Sequence, residues 1–185
     1  MEYDFDGCEV ENVLDNIPNK KRKNSKAKGN RVELELTKIL SKHFDKSFSR
    51  AVGSGNRWGQ VAHMPSHAKA TLVGDICAPE GFKWVIECKG GYEDKIDLPS
   101  KGRIKQLDAF IDQSLDDAKR SNRLPIIMWK RARRCWLAMV QMEHIDISDN
   151  EYYTRYRNWI ILSLEDLLEQ TPENYWFNQE SEKSS

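Results

Sequence analysis

Three side chains that could act on a phosphate ester lie close together in the chain: Asp75, Glu87 and Lys89. The composition of residues 72–78 and 82–89 is typical of strands, and we expect them to form a hairpin around a tight turn. Side chains alternate along a strand, so Glu87 and Lys89 share one face, which Asp75 can reach from the partner strand. The carboxylates would offer Mg²⁺ hard oxygen ligands, and the ammonium would stabilise developing negative charge. The alternative is a cross-strand salt bridge on an exposed sheet face.

A third carboxylate, Glu33, has an unusual position on a helix predicted over residues 31–44, with Asn30 as its N-cap. At 100° per residue, Glu33 projects within the apolar arc of this helix and Glu35 falls outside it; the arc consists of Val32, Leu36, Ile39, Leu40 and Phe44. Burying a carboxylate there is costly unless a positive charge meets it. The alternative is a glutamate at the edge of the arc that reaches water or pairs with a lysine.

The order of these residues resembles a known nuclease signature. Gly74-Asp75 followed by Glu87-Cys88-Lys89 resembles the (P)D…(D/E)xK motif of the restriction-endonuclease-like superfamily, with Gly74 in place of the proline. Residues 28–36 resemble the helix that opens archaeal-type Holliday junction resolvases, and residues 49–54 resemble the strand and serine-bearing glycine loop of the same family. The resemblance covers roughly residues 26–110, although the segment 56–74 is longer than the corresponding link in that family.

This resemblance implies a catalytic set of Glu33, Asp75, Glu87 and Lys89. The three acids, together with the backbone carbonyl of Cys88, would hold one or two Mg²⁺ ions, with Mn²⁺ as a substitute. Lys89 would position the water that hydrolyses a DNA phosphodiester without a covalent intermediate. Resolvases of this kind work as dimers that cut two strands symmetrically, so the resemblance also implies a homodimer.

The rest of the pattern predicts the elements that must position these residues. Further strands are predicted at 47–52, 124–129, 136–141 and 159–162, and further helices start at Lys101 and run over 164–170 with Ser163 as a cap. In the helix that starts at Lys101, Gln106 and Phe110 resemble the Q-xxx-aromatic feature found beside some active sites of the superfamily. The predicted fold class is α/β: a mixed central β-sheet flanked by helices, with a restriction-endonuclease-like core. Its active site would lie where the Glu33 helix meets the hairpin.

The charges are segregated along the chain, although the formal net charge is zero. Residues 1–15 carry a net charge of −6, residues 16–140 carry +13 and residues 141–185 carry −7. A basic body favours DNA as a partner, because neutralising phosphates releases counterions; the alternative is a solvated charged surface. The candidate DNA contacts are Arg50, Ser54, Arg57, Lys101, Arg103, Lys105, Gln106, Lys130 and Arg131. The acidic ends could compete with DNA for the basic face.

Length and composition predict one nuclease domain at residues 26–170, between a flexible tail at 1–25 and an acidic tail at 171–185. The chain has no apolar run long enough to span a bilayer, and its acidic start is unlike a signal peptide, so we expect an intracellular protein with no membrane partner. The cysteines have no CxxC spacing and are interpreted as ordinary thiols: Cys8, Cys77, Cys88 and Cys135.

Three functions remain open from the sequence. The first is a structure-selective endonuclease acting on Holliday or branched junctions in recombination or replication. The second is a sequence-specific or repair endonuclease of the same superfamily, and cleavage of linear duplex at one site would favour it. The third is a non-catalytic DNA-binding protein that retains the nuclease fold, and retention of all four catalytic-type residues argues against it.

Overall fold

A computed structural model describes residues 25–51, 73–91, 102–131, 134–146 and 153–178. In chain order its elements are α1 (Ser25–Phe44), β1 (Ser49–Arg50), β2 (Ile76–Cys77), β3 (Trp84–Gly90), α2 (Lys105–Ser121), β4 (Leu124–Lys130), β5 (Trp136–Gln141), a 3₁₀ turn (Met142–His144), β6 (Tyr153–Tyr156), β7 (Trp159–Ser163), α3 (Leu164–Gln170) and α4 (Glu173–Trp176). None of the helices within these ranges is both long and apolar enough to cross a membrane.

Five strands form a mixed sheet in the order β3-β4-β5-β7-β6. β3 and β4 run parallel, and the other neighbouring strands run antiparallel. A parallel pair needs a crossover connection, and α2 provides it. β1 and β2 form a separate antiparallel pair that contacts β3 through β2. The predicted α/β class, with a mixed sheet flanked by helices, is confirmed.

Helices cover both faces of the sheet, and the residues of β4 show how. Ile126 and Met128 pack in the core beneath α1, with Leu36 and Leu40 of that helix. Ile127 and Trp129 point to the opposite face and pack in a second core beneath α2, which contributes residues such as Leu107 and Phe110. A strand buried on both faces is apolar along its whole length, which explains the continuous apolar run of β4.

The predicted hairpin between residues 72–78 and 82–89 is wrong. β2 pairs with β1 instead, through the register Ser49↔Cys77 and Arg50↔Ile76. The link from this pair to β3 is a backbone hydrogen bond of 3.0 Å from the Asp75 N–H to the Ile86 carbonyl. Residues 81–83 hydrogen-bond to residues 176–178. The sequence pattern did not indicate the contact between residues 81–83 and residues 176–178, because these two segments lie about ninety residues apart in the chain.

The predicted start of an acidic tail at residue 171 is also wrong. Trp176 and Phe177 are buried, and both pack around Phe82 in the core beneath α1. The net negative charge of residues 141–185 favoured the prediction of a tail, although Trp176 and Phe177 pack in the core. The predicted N-terminal tail, apart from Ser25, and residues 179–185 lie outside the described residues.

Two helix starts differ from the prediction, and one cap agrees. α1 begins at Ser25, so Asn30 lies inside the helix and is not its N-cap. α2 begins at Lys105, four residues later than predicted. The predicted cap of α3 is confirmed, since the Ser163 hydroxyl accepts a hydrogen bond from the Asp166 N–H.

Candidate active site

Alternation along β3 directs its side chains to two different layers. Trp84 and Ile86 pack in the core beneath α1, whereas Glu87 and Lys89 lie on the face covered by α2. The Glu87 side chain is 2% exposed and forms an ion pair with the Lys89 ammonium. The predicted common face of Glu87 and Lys89 is therefore present, but it is an internal face and not an exposed one.

Asp75 reaches this site because Gly74 lets its segment lie close against β3. Gly74 has φ +87°, and a Cβ added there would lie 2.8 Å from both the Ile86 carbonyl oxygen and the Val85 Cγ2. The Asp75 carboxylate then accepts a hydrogen bond of 2.9 Å from the Cys88 N–H. Proline, whose φ is fixed near −65°, cannot adopt the backbone of Gly74, which explains the departure from the named motif.

The carboxylates of the site destabilise one another's charged forms. Burial, followed by the nearby charge of Asp75, raises the pKa of Glu87 to about 8. Burial also raises the pKa of Asp75, and the charge of Glu33 adds to this effect. Within the described residues, the Glu87 Oε2 atom is buried and accepts no hydrogen bond. Paired buried carboxylates with an unsatisfied oxygen match the donors that a hard divalent cation binds, so the site fits such an ion.

Glu33 lies close enough to Asp75 for its negative charge to raise the Asp75 pKa, but the Glu33 carboxylate forms an ion pair with Arg50. The Arg50 Nε donates to the Glu33 Oε2 at 2.8 Å, and the Arg50 Nη2 donates to the Asn30 Oδ1 at 2.6 Å. Gly90 permits the close approach of α1 to β3, because a Cβ there would lie 2.8 Å from the Val32 Cγ2. No three His, Cys, Asp or Glu side chains in the described ranges converge as a ready metal site.

The distinction between Glu33 and Glu35 is visible in their partners. Glu35 accepts hydrogen bonds of 3.1 Å from the Trp136 Nε1 and from the Lys130 Nζ. Burial would raise the pKa of Glu35, but these two donors lower it below its usual value. Helical phase thus separated the glutamate near Asp75 from the one that links α1 to β4 and β5.

Two α2 residues beside the site were missed by sequence reasoning. The Gln113 Oε1 accepts a hydrogen bond of 2.8 Å from the Lys89 Nζ, which also lies 5.3 Å from the ring centroid of Phe110. The Asp117 carboxyl adjoins Glu87, and burial raises its pKa. Phe110, Gln113 and Asp117 recur at helical spacing, and this spacing is the sequence signal that places the two missed residues on the same face of α2 as Phe110.

The candidate DNA contacts differ in their surroundings. Arg103 pairs with Asp108 at 3.1 Å, and Lys130 lies over the Trp136 ring at 5.6 Å in addition to its contact with Glu35. The Arg131 guanidinium lies 5.5 Å from the Trp129 ring centroid, just beyond the β4 end that pairs with Gly90. Lys105 is exposed and Gln106 is half-buried at the start of α2, whereas Arg50 is engaged by Glu33. Ser54, Arg57 and Lys101 lie outside the described residues.

Residues 24–178 match the family model described as "Phage putative PDDEXK endonuclease". A search of curated proteins gives no match. Among solved structures, the chain is similar to Hjc from Archaeoglobus fulgidus, a Holliday junction resolvase from an archaeal hyperthermophile. The identity is 17% and the TM-score 0.38, over 75% of this chain and 85% of that one. The family match spans most of the sequence, including Glu33, Asp75, Glu87 and Lys89, and the chain therefore belongs to this phage family of PDDEXK endonucleases.

Proposed function

We propose that this endonuclease is divalent-metal-dependent, uses Mg²⁺ or Mn²⁺, and cleaves branched DNA such as Holliday junctions. The observation that carries the metal requirement is Glu87, a buried carboxylate beside Asp75 with one oxygen that accepts no hydrogen bond among the described residues. A cation would offset the repulsion between the two acids. As a phage-family nuclease, it would act on DNA inside the host cell.

Asp75 and Glu87 would hold the ion, with the Cys88 carbonyl as a further oxygen ligand. Glu33 would join them by exchanging its contact with Arg50, which frees a guanidinium to meet a DNA phosphate. When bound, the ion would supply Lewis acidity toward a phosphate oxygen and toward the attacking water. Lys89 would hold that water with an ammonium N–H and stabilise the charge that develops on the phosphate.

Preference for a branched substrate is supported by the sequence resemblance of residues 28–36 and 49–54 to archaeal-type resolvases. Paired cuts on two strands require two active sites, so we also propose a homodimer. The net charge of +13 over residues 16–140 suits a substrate that presents several phosphate backbones. Sedimentation of the protein alone would give the mass of a dimer.

The test is incubation with labelled four-way junction, flap, linear duplex and single-stranded DNA, with and without Mg²⁺. The expected result is metal-dependent cleavage of the junction at symmetric positions. Cleavage of the duplex at one site would favour a sequence-specific or repair enzyme, and binding without cleavage would favour a non-catalytic role; either would overturn the junction proposal.

A pair of variants locates the site in the same assay. Glu87→Gln should abolish cleavage, because it removes a ligand charge while keeping the side-chain volume. Asp112→Asn is the matched control, since Asp112 is an exposed acid on α2. Full activity of Glu87→Gln would place the active site elsewhere.

A further inference from the structure

The structure gives the proposed catalytic Lys89 a second acceptor besides Glu87. The Lys89 Nζ donates to the Gln113 Oε1 at 2.8 Å, and the Lys89 side chain is only 14% exposed. Gln113 is an exposed residue of α2 and Lys89 lies on β3, so the hydrogen bond joins the crossover helix to the sheet at the surface of the molecule. We infer that Gln113 is a positioning residue for Lys89, an inference that rests on the proposed function of this site.

The donor count of an ammonium group explains what Gln113 does. A lysine ammonium has three N–H donors and no acceptor. Glu87 takes one and Gln113 takes another, while the Phe110 ring lies 5.3 Å away. The remaining N–H is left to hold a water or a phosphate oxygen. Fixing two donors on two different elements sets the direction of the third.

A neutral acceptor is needed because Glu87 has two duties. A carboxylate that binds a divalent cation shares its negative charge with that cation, so its attraction for the Lys89 ammonium weakens. The Gln113 amide oxygen carries no net charge and competes less for the cation. Gln113 would therefore keep Lys89 in place when Glu87 turns to the metal.

The test compares Gln113→Met, which removes the acceptor at nearly constant volume, with Gln113→Glu, which keeps an acceptor at the same reach. At saturating Mg²⁺ and with the best DNA substrate, Gln113→Met should lower kcat about tenfold, the value of one lost hydrogen bond, with unchanged KM. Gln113→Glu should give an intermediate kcat, above that of Gln113→Met because an acceptor is kept, and below that of the wild type because the added negative charge competes for the cation. Asp112→Asn, at the neighbouring exposed position, should match the wild type.

A double variant shows whether Gln113 acts through Lys89. In the Lys89→Ala background, Gln113→Met should cause no additional loss of kcat, because its target is gone. Losses that multiply would overturn the inference, as would a Gln113→Met protein with full kcat.

A measurement without DNA separates this inference from the proposed function. Reductive methylation of the metal-free protein, followed by mass spectrometry, reports how firmly each lysine is held. Lys89 should react faster in Gln113→Met than in wild type and Asp112→Asn, while exposed Lys119 should react equally in all three. An unchanged Lys89 rate would overturn the positioning role even if the nuclease is active, whereas an inactive wild type would overturn only the proposed function.

Discussion

At the residue scale, the candidate site contains a buried carboxyl group, Glu87, whose ionisation disfavours folding in the absence of metal. Glu87 is 2% exposed, its neighbours include the acids Asp75 and Asp117, and Lys89 meets only one of its oxygens. Residues with strongly shifted pKa values caused by burial and specific partners are concentrated at functional sites. We therefore expect this residue to link the stability of the protein to pH and to metal binding.

We predict that the metal-free protein loses stability as the pH rises from about 5 to about 8. The pKa of Glu87 is raised to about 8 in the folded protein, so the folded state retains a proton that the unfolded state has released. Glu87→Gln should remove this loss and be more stable than wild type near pH 8, on the order of a few kcal/mol, with no gain near pH 4. Urea unfolding with a chelator, at several pH values, measures the difference.

Metal addition supplies the control for that prediction. Mg²⁺ should raise the melting temperature of the wild type near pH 8, because it binds the folded state, and should have little effect on Glu87→Gln. Parallel stability curves for the two proteins across this pH range would show that Glu87 is not the group responsible.

At the element scale, the site depends on how closely the segment of Asp75 approaches β3. The contact is made by one backbone hydrogen bond, from the Asp75 N–H to the Ile86 carbonyl, and by the Asp75 carboxylate on the Cys88 N–H. Gly74 precedes both bonds, and its missing side chain leaves the space that β3 occupies. A side chain at this position would move Asp75 away from Glu87.

We predict that Gly74→Ala destabilises the protein by about 2–4 kcal/mol and greatly reduces cleavage, because backbone strain and a steric clash add together. Gly81→Ala is the matched control: Gly81 has φ +77°, but a Cβ there would meet nothing within 4 Å. Gly81→Ala should lower the free energy of unfolding only by the backbone strain and should leave the nuclease active. Chemical denaturation and the cleavage assay together test this, and equal effects of the two variants would contradict the steric explanation.

At the scale of the whole molecule, the chain closes on itself between residues far apart in sequence. The backbone of residues 81–83 bonds to residues 176–178, and Phe82 stacks on Trp176 with ring centroids 6.0 Å apart. The edge of the fold near the start of β3 is therefore completed by the C-terminal aromatic segment. Residues 171–178 belong to the nuclease domain.

We predict that a chain ending at residue 178 melts at the same temperature as the full chain, whereas one ending at residue 170 is largely unfolded. The shorter chain loses Trp176 and Phe177, each a buried aromatic side chain worth about 3–5 kcal/mol. Calorimetry or circular dichroism of both chains measures this. Phe177→Ala in the full chain gives a milder check, and a stable chain 1–170 would contradict the assignment of these residues to the core.

The sequence by itself determined the α/β class, the common face of Glu87 and Lys89, and the preference for Glu33 over Glu35. The first two follow from side-chain periodicity, a local property of each strand or helix, whereas the preference for Glu33 also needed its order in the chain relative to Asp75, Glu87 and Lys89. It also supplied the nuclease resemblance, which the family match confirms. The tertiary structure alone decided that β2 pairs with β1, that Gln113 reaches Lys89, and that Trp176 closes the core. Each of these contacts joins separate elements. A local sequence pattern cannot specify such a contact, because each apolar or polar face could pack against several partners, and only the packing of the whole chain selects one.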